Sequence, residues 1–228
     1  MAALCDCDVE PLKGLNAACA VELVHTASLI LDDLPSMDNA TMRRGRATLH
    51  RIHGESVAIL TAIALLNSAY GLCSAPPHSG LVDVLVKAVG PRGLVGGQLR
   101  DLHPKPATSL ADIEVTYAEK TGSLFVAACE IAATLAGADA LTSQRLRRFA
   151  EFAGLAFQLA DDALDAKSNA NEVGKNVLQD TNVITVAKAT SQLHASTRRL
   201  AARSEAAANL AFVAPDGMIN MWLSSAVP

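Results

Sequence analysis

Leu31-Asp32-Asp33-Leu34-Pro35-Ser36-Met37-Asp38, followed closely by Arg43-Arg44-Gly45, is the stretch around which the chain is organised. It places three carboxylates and two guanidinium groups inside a chain that is 50% hydrophobic. Packing alone does not explain them, because a buried carboxylate without a partner is strongly destabilising. Carboxylate clusters suit hard divalent cations, and magnesium is usually held by one or two carboxylates together with phosphates. The two arginines that follow can bind phosphate oxygens with their planar forks.

A second acidic cluster, Asp161-Asp162-Ala163-Leu164-Asp165, lies far along the chain. In a helix, Gln158 and the three aspartates fall at i, i+3, i+4 and i+7, so one face carries an amide and three carboxylates. A single acidic cluster is as often a solvated charge run as a binding site. Two clusters in one helical chain favour a shared metal and phosphate site.

The composition predicts an all-α protein. At 228 residues the chain is long enough for one domain with a substantial core, and we expect a single helical domain over residues 1–228. Aromatic residues make up only 4% of the chain, which argues against a sheet protein. The net charge of −4 and the scattered basic residues leave no footprint for nucleic acid.

Neither a membrane span nor a disulfide framework is expected. The longest apolar run lies around Val57 to Leu66, too short for a transmembrane segment. The chain has an odd number of cysteines without CxxC spacing, which favours a reducing compartment and argues against a zinc site: Cys5, Cys7, Cys19, Cys73 and Cys129. The first residues lack the layout of a secretory signal and are short and acidic for a transit peptide.

The helix that delivers the first cluster is predicted to begin at Leu15, with Asn16 as a possible cap. His25 lies two helical turns before Asp32 on the same face. A lone histidine is more often a bystander, but this alignment makes a functional role equally plausible. Pro35 is expected to break the helix and let the chain turn Asp38 back toward Asp32.

Other helices follow from the apolar pattern. A helix starting near Glu55 is predicted to be near-continuous core, and the glycines of Gly96-Gly97-Gln98-Leu99-Arg100-Asp101 would let helices approach closely. Ser109 or Thr108 is expected to cap the helix that contains Lys120-Thr121-Gly122. A mid-helix lysine is usually solvated, but the small apolar residues around Lys120 suggest that it enters a cavity. Ser143 is expected to cap the next long helix, and residues 167–179 read as a loop.

With these motifs in order, the sequence resembles the trans-prenyltransferases, the isoprenyl diphosphate synthases. The resemblance covers residues 17 to about 180 and rests on the two aspartate clusters, Arg43-Arg44-Gly45, the glycine-rich segment and Lys120-Thr121-Gly122. It implies an all-α bundle around a central cavity, Mg²⁺ as the cofactor, and isopentenyl and allylic diphosphates as substrates.

The resemblance also implies a role for each candidate site residue. The catalytic carboxylates would be Asp32, Asp33, Asp38, Asp161, Asp162 and Asp165, of which Asp32, Asp38, Asp161 and Asp165 would hold the magnesium. The residues that would stabilise the departing pyrophosphate are Arg43, Lys120, Gln158 and Lys175, with Thr121 beside them. Arg44 and His25 would hold the diphosphate of isopentenyl diphosphate.

Several positions depart from the family pattern. The family's upstream Gly-Gly-Lys-Arg segment is not seen, and we expect its N-terminal helices to be missing here. Gln179 replaces the second lysine of Gly174-Lys175-Asn176-Val177-Leu178-Gln179-Asp180, Ala62-Ile63 replaces Gly-Asp, and Met221-Trp222-Leu223 replaces a basic C-terminal end. Each missing cation removes a charge-assisted contact worth roughly 1.5–3 kcal/mol.

These departures are similar to those of plant plastid small subunits, which bind a catalytic geranylgeranyl diphosphate synthase. Our leading hypothesis is therefore a small regulatory subunit of a heteromer, located in the plastid, with Cys129 as the remnant of a partner-contact CxxxC motif. The alternatives are an active geranylgeranyl or farnesyl diphosphate synthase and a non-catalytic helical interaction module. Ala27 and Ser28 are small, which favours a C20-type product pocket if a product forms.

Overall fold

The computed structural model describes residues 11–74, 80–103 and 109–173, and for residues 159–173 it describes the helical backbone alone. Apart from one short hairpin and the connecting turns and loops, these residues are helical, as predicted. A 3-10 turn at Pro11–Gly14 leads into α1 (Leu15–Asp32), β1 (Met42–Arg43), β2 (Arg46–Ala47), α2 (Leu49–His53), α3 (Glu55–Ser74), α4 (Gly80–Val89), α5 (Leu94–Leu102) and α6 (Leu110–Tyr117). A π-helical turn, Ala118–Gly122, joins α6 to α7 (Ser123–Ala136), and α8 (Ala140–Val173) follows.

The core is built largely from small side chains, which let helix axes approach closely. On α1, Ala20, Val24 and Ala27 are fully buried, and α1 packs along α3. The main buried cluster joins α1, α3, α4 and α7 and consists of Ala17, Ala20, Val24, Ala69, Cys73, Leu81, Leu85 and Ile131. A second cluster between α7 and α8 consists of Cys129, Ala133, Leu146 and Ala150. Both clusters hold the helices that carry the candidate site.

The outer face of α3 differs from the prediction that this helix is near-continuous core. Its inner positions Ala58, Ala62 and Ala69 are fully buried. The large side chains point outward instead, since Leu60 is 65% exposed and Ile63 56% exposed. The residues of this apolar α3 face are Val57, Ile59, Leu60 and Ile63. Apolar periodicity cannot say which partner buries a face, and here small residues suffice for the contact inside the chain.

By length and apolar composition alone, α1 and α3 could each cross a membrane. Helices in the core of a water-soluble bundle meet the same two criteria, so this similarity is weak support for a span. In this structure α1 and α3 pack against each other.

Of the predicted helix caps, the structure confirms the one at Ser109 and not those at Asn16 and Ser143. The Ser109 hydroxyl accepts a hydrogen bond from the Asp112 backbone N–H at 3.1 Å and completes a capping box, as expected. Asn16 does not cap α1, because the preceding 3-10 turn runs into the helix and Gly14 takes the cap position. Ser143 does not cap α8, since the helix begins three residues earlier, where Asp139 Oδ1 accepts from the Thr142 N–H at 2.7 Å. The predicted loop at 167–179 is helical up to Val173.

Candidate active site

The first acidic cluster lies where α1 ends. The helix stops at Asp32, as Pro35 predicted, and the chain then folds back on itself. The backbone N–H of Asp38 donates to the Asp32 carbonyl at 2.9 Å, and the N–H of Asn39 donates to Leu34 at 3.0 Å. This turn brings Asp38 back toward Asp32, which is the arrangement that the spacing of the motif predicts.

Asp32 sits in an environment that opposes its charge. Burial, with smaller contributions from the neighbouring Asp38 and Asp33 carboxylates, raises its pKa to about 6. The ammonium of Lys120 and the guanidinium of Arg43 act in the other direction. A half-buried carboxylate beside other carboxylates is well suited to a cation, because a bound cation relieves both burial and repulsion.

Asp33, unlike Asp32, is paired directly with a guanidinium group, that of Arg43. It is only 5% exposed, and the Arg43 guanidinium donates to it from Nε at 2.8 Å to Oδ1 and 3.0 Å to Oδ2. Arg43 Nη2 also lies 2.7 Å from Oδ1. This hydrogen bonding raises the pKa of Arg43. Asp33 therefore anchors Arg43 and the hairpin to the end of α1.

The hairpin presents Arg44 at its tip. Arg43 pairs with Arg46 in the β1–β2 ladder, so Arg44 and Gly45 form a two-residue connection. Both have positive φ, 50° and 74°, as a type I′ turn requires. A non-glycine residue in this backbone region is strained, which is common at functional sites. Arg44 is exposed to solvent.

His25 lies close enough to Arg44 for the charge of that guanidinium to act on its imidazole. Burial lowers its pKa, Glu22 opposes that effect, and the positive charges of Arg44 and Arg43 add to it. The structure thus brings near each other the two residues that the resemblance implied as ligands of a second diphosphate. Their binding role stays a prediction.

Lys120 and Thr121 lie in the π-helical turn between α6 and α7. Such wide turns occur often at functional sites. Lys120 Nζ lies 2.5 Å from Asp101 Oδ2 on α5, and the Thr121 hydroxyl donates to Gln158 Oε1 on α8 at 2.5 Å. Burial opposes the charge of Lys120, but the hydrogen bond and charge of Asp101 outweigh it and raise its pKa, with help from Asp32 and Asp38. The turn therefore links α5, α8 and the first acidic cluster.

The sequence did not assign Asp101 a role, although it lies in a motif that the resemblance singled out. The missed signal is the spacing of Gly97 and Asp101, one helical turn apart, which places both on the face that contacts Lys120. A Cβ on Gly97 would lie 2.1 Å from the Lys120 backbone N and 2.5 Å from its Cα. The π turn itself has no signature in a single sequence, because its hydrogen-bond pattern depends on packing.

The second acidic cluster lies on α8, whose backbone continues as a helix through Asp161, Asp162 and Asp165. Their side chains, and all of Lys175, lie outside the described residues, so their roles stay predictions. Among the described residues no group of three His, Cys, Asp or Glu side chains could by itself hold a metal. Asp32 and Asp38 are oxygen donors in a site that disfavours uncompensated negative charge, which fits a hard divalent cation.

The family described as Polyprenyl synthetase matches residues 1–208. The chain belongs to the polyprenyl synthetase family. A farnesyl diphosphate synthase from Geobacillus stearothermophilus is 41% identical over 180 residues, which are 75% of this chain and 61% of that protein. A chloroplastic heterodimeric geranylgeranyl pyrophosphate synthase large subunit 1 from Arabidopsis thaliana is 38% identical over 184 residues, or 75% of this chain and 50% of that protein. The chain thus spans about half to three fifths of the length of these curated relatives.

Solved structures of the same family share the fold. A crystal structure of an FPP/GFPP synthase from Zymomonas mobilis aligns with a TM-score of 0.75 and 30% identity, covering 91% of this chain and 74% of that one. A geranyltransferase from Legionella pneumophila aligns with a TM-score of 0.76 and 27% identity, covering 93% and 74%. The isoprenoid synthase-type helical bundle that the resemblance implied is therefore confirmed.

Proposed function

We propose that this chain is a prenyltransferase unit that binds an allylic diphosphate through Mg²⁺ and takes part in joining it to isopentenyl diphosphate. The observation that carries the proposal is the approach of Lys120, from the π turn, to Asp32 and Asp38 at the end of α1, within a polyprenyl synthetase fold. The relatives that are farnesyl and geranylgeranyl diphosphate synthases support this reaction class. In the proposal, residues 1–228 form one helical domain.

The proposed metal ligands are Asp32 and Asp38 from the first cluster and Asp161 and Asp165 from the second, with Asp162 beside them. When bound, Mg²⁺ would neutralise diphosphate charge and favour its departure. Lys120 supplies a positive charge beside the first cluster, and Thr121, Gln158 and Lys175 complete the proposed pyrophosphate contacts. Positioning and charge stabilisation supply most of the catalysis in such a site.

Arg44 and His25 are proposed to hold the diphosphate of the second substrate. In the reaction the allylic C–O bond breaks, the double bond of isopentenyl diphosphate forms the new C–C bond, and a proton then leaves. Asp33 acts through Arg43, because its carboxylate is already bound to that guanidinium. Arg43 can still contribute charge to the diphosphate.

A substrate-binding and turnover experiment tests this function. Calorimetry of the full chain with inorganic pyrophosphate and Mg²⁺ should give saturable heat, and the Asp32→Ala variant should lose it. A radiolabelled isopentenyl diphosphate assay with each allylic diphosphate should then give product that also requires Asp32. Absence of Mg²⁺-dependent pyrophosphate binding in the folded wild-type chain would contradict the proposal.

A second candidate function is the small subunit of a heteromeric geranylgeranyl diphosphate synthase. The apolar α3 face (Val57, Ile59, Leu60 and Ile63) is a surface on which a homologous synthase chain could dock, and one relative is the large subunit of a heterodimeric enzyme. Gln179, in place of a family lysine, supports weaker activity of the chain alone. Cys129 is buried between α7 and α8, so the α3 face is the better candidate for the contact.

The assay that separates the two candidates compares the chain alone with the chain co-purified with a homologous synthase. A small subunit should form a stable complex, show little turnover alone and change the rate or product length of its partner. Robust product formation by the isolated chain would favour the first candidate.

Product length and location are part of the same proposal. Ala27 is fully buried, so of the two small residues before the first cluster, half-buried Ser28 is the better candidate for a pocket wall. Chromatography of the product would show whether a C20 chain forms.

Chloroplastic relatives support a plastid location, which a fluorescent fusion of the complete coding sequence would test by its overlap with chlorophyll.

A further inference from the structure

Helix α5 contacts two consecutive residues of the π turn, Glu119 and Lys120. Gly97 packs directly on the Lys120 backbone, where a Cβ would have no room. One turn further along α5, Arg100 Nε lies 2.7 Å from Glu119 Oε2, and Asp101 Oδ2 lies 2.5 Å from Lys120 Nζ. The close approach at Gly97 therefore sets the distance at which Asp101 can reach Lys120.

The charges around Lys120 give this ion pair a consequence for the site. Among the side chains that the structure describes, three carboxylates influence the Lys120 ammonium, namely those of Asp101, Asp32 and Asp38. Asp101 is the one bonded to it. A lysine side chain is long and flexible, so an ammonium that lost Asp101 would be drawn toward the other two carboxylates that influence it. Those anions are the first-cluster carboxylates proposed to bind the metal.

We propose that Asp101 is a positioning residue that holds Lys120 against α5 and so keeps its ammonium from pairing with Asp32 and Asp38. The oxygens of these two carboxylates then stay available to a divalent cation. Asp101 also offsets part of the positive charge that would repel that cation. Where it concerns metal loading, the inference rests on the proposed function.

The structure offers a closely matched control. Asp101→Asn and Glu119→Gln each remove one ion pair between α5 and the π turn, and each keeps the size of its side chain. Only Asp101→Asn removes the partner of Lys120. A general loosening of the contact between α5 and the turn would affect both variants alike, whereas a positioning role affects only the first.

The first experiment is a Mg²⁺ titration at saturating inorganic pyrophosphate, followed by calorimetry, with folding checked by circular dichroism. The half-saturating Mg²⁺ concentration should rise by about two- to fivefold in Asp101→Asn, the range expected for one partly exposed ion pair. It should change little in Glu119→Gln. In a Lys120→Met background, Asp101→Asn should have no further effect. An equal response of the two variants, or an Asp101→Asn effect that persists without Lys120, would overturn the inference.

A second measurement needs no ligand. Lysine amines carrying ¹³C-methyl groups give NMR signals that respond to their ion pairs, and a Lys120→Arg variant identifies the Lys120 signal. With Asp101 present, this signal should respond weakly to Asp32→Asn. With Asp101→Asn it should respond strongly, since Lys120 then pairs with the first cluster. If pyrophosphate does not bind but this pattern appears, the proposed function fails and the positioning role stands. If the signal ignores Asp101, the positioning role is wrong.

Discussion

Asp32 and Asp33 are neighbours in the sequence, yet the structure gives their carboxylates opposite environments. The Asp32 carboxylate is penalised by burial and by nearby negative charges, whereas Asp33 is neutralised by a forked contact with Arg43. Removing the charge should therefore raise the stability of the protein at Asp32 and lower it at Asp33. This contrast separates a carboxylate proposed to bind the metal from one that binds Arg43.

Asp32→Asn should stabilise the metal-free protein while abolishing Mg²⁺-dependent pyrophosphate binding. Removing the disfavoured charge should raise the free energy of unfolding by about 1–2 kcal/mol near neutral pH, after allowance for partial exposure. Urea denaturation followed by far-UV circular dichroism measures this change. An unchanged or lower stability would contradict the environment described for Asp32.

The pH dependence of the same variant has a definite sign. The pKa of Asp32 is raised from 3.8 to about 6 in the folded protein, so its protonated form is favoured by folding. Below pH 3.8 wild type and Asp32→Asn should be equally stable. The advantage of the variant should grow as pH rises through about 6 and then remain constant.

Asp33→Asn should destabilise the protein. Its carboxylate is buried and its charge is matched to Arg43, so an amide leaves the guanidinium with weaker hydrogen bonds. We expect a loss of about 1 kcal/mol in the free energy of unfolding, reduced from the fully buried case because Arg43 is partly exposed. Asp38→Asn is the control, since Asp38 is exposed and should show no loss.

At the scale of elements, the π turn joins α6 to α7 and also contacts the neighbouring helices α5 and α8. Its residues contact α5 through Glu119 and Lys120 and α8 through Thr121. Gly154 on α8 has no room for a side chain, because a Cβ there would lie 2.6 Å from the Gly122 Cα. Glycines on both neighbouring helices thus allow the turn to lie deep between them.

Thr121→Val should uncouple α8 from the π turn without changing side-chain shape much. It removes the hydroxyl that donates to Gln158, and we expect a loss of about 1 kcal/mol in the free energy of unfolding. A double-mutant cycle with Gln158→Leu should show a coupling of similar size. Thr61→Val is the control, because the Thr61 hydroxyl bonds to a carbonyl of its own exposed helix.

Gly137→Ala should lower stability through the backbone alone. Gly137 ends α7 with φ of 60°, and a Cβ there would meet nothing within 4 Å. We therefore expect a loss of about 1 kcal/mol from the left-handed conformation itself. Gly71→Ala, inside α3 and equally open, should instead give no loss or a small gain in thermal unfolding.

At the scale of the whole molecule, the apolar α3 face is a surface that the described residues leave exposed. Exposed large apolar side chains that share one helix face are typical of a contact site. Small residues on the opposite side of the helix already complete the packing with α1.

Leu60→Glu should weaken association of the chain with a homologous partner while leaving its own stability nearly unchanged. Leu60 is 65% exposed, so a charge there meets water in the isolated chain and a desolvated surface in a complex. Sedimentation with a co-purified synthase measures the association, and Val86→Glu on α4, at 52% exposed, is the control. A large drop in the melting temperature of the isolated chain would show that the face is buried within the protein itself.

The candidate site was predictable from sequence to the extent that its chemistry is local. The two acidic clusters, the break at Pro35 and the position of His25 on the same helical face as Asp32 follow from spacing and backbone preference, whereas the pairing of His25 with Arg44 was implied only by the resemblance to the family. The pairing of Asp33 with Arg43 and of Asp101 with Lys120 does not follow from spacing, because each joins residues whose distance is set by how separate elements pack.

The all-α class, the end of α1 at the first cluster and the similarity to isoprenyl diphosphate synthases can all be inferred from the amino-acid sequence. These depend on composition, helical period and short motifs, which act over a few residues. Three features follow from tertiary packing and not from the sequence alone. The charge of Asp32 is disfavoured while that of Asp33 is neutralised by Arg43, Lys120 is paired with Asp101, and α3 turns its large side chains outward. Burial and charge pairing depend on every neighbour at once, and those neighbours come from distant parts of the chain.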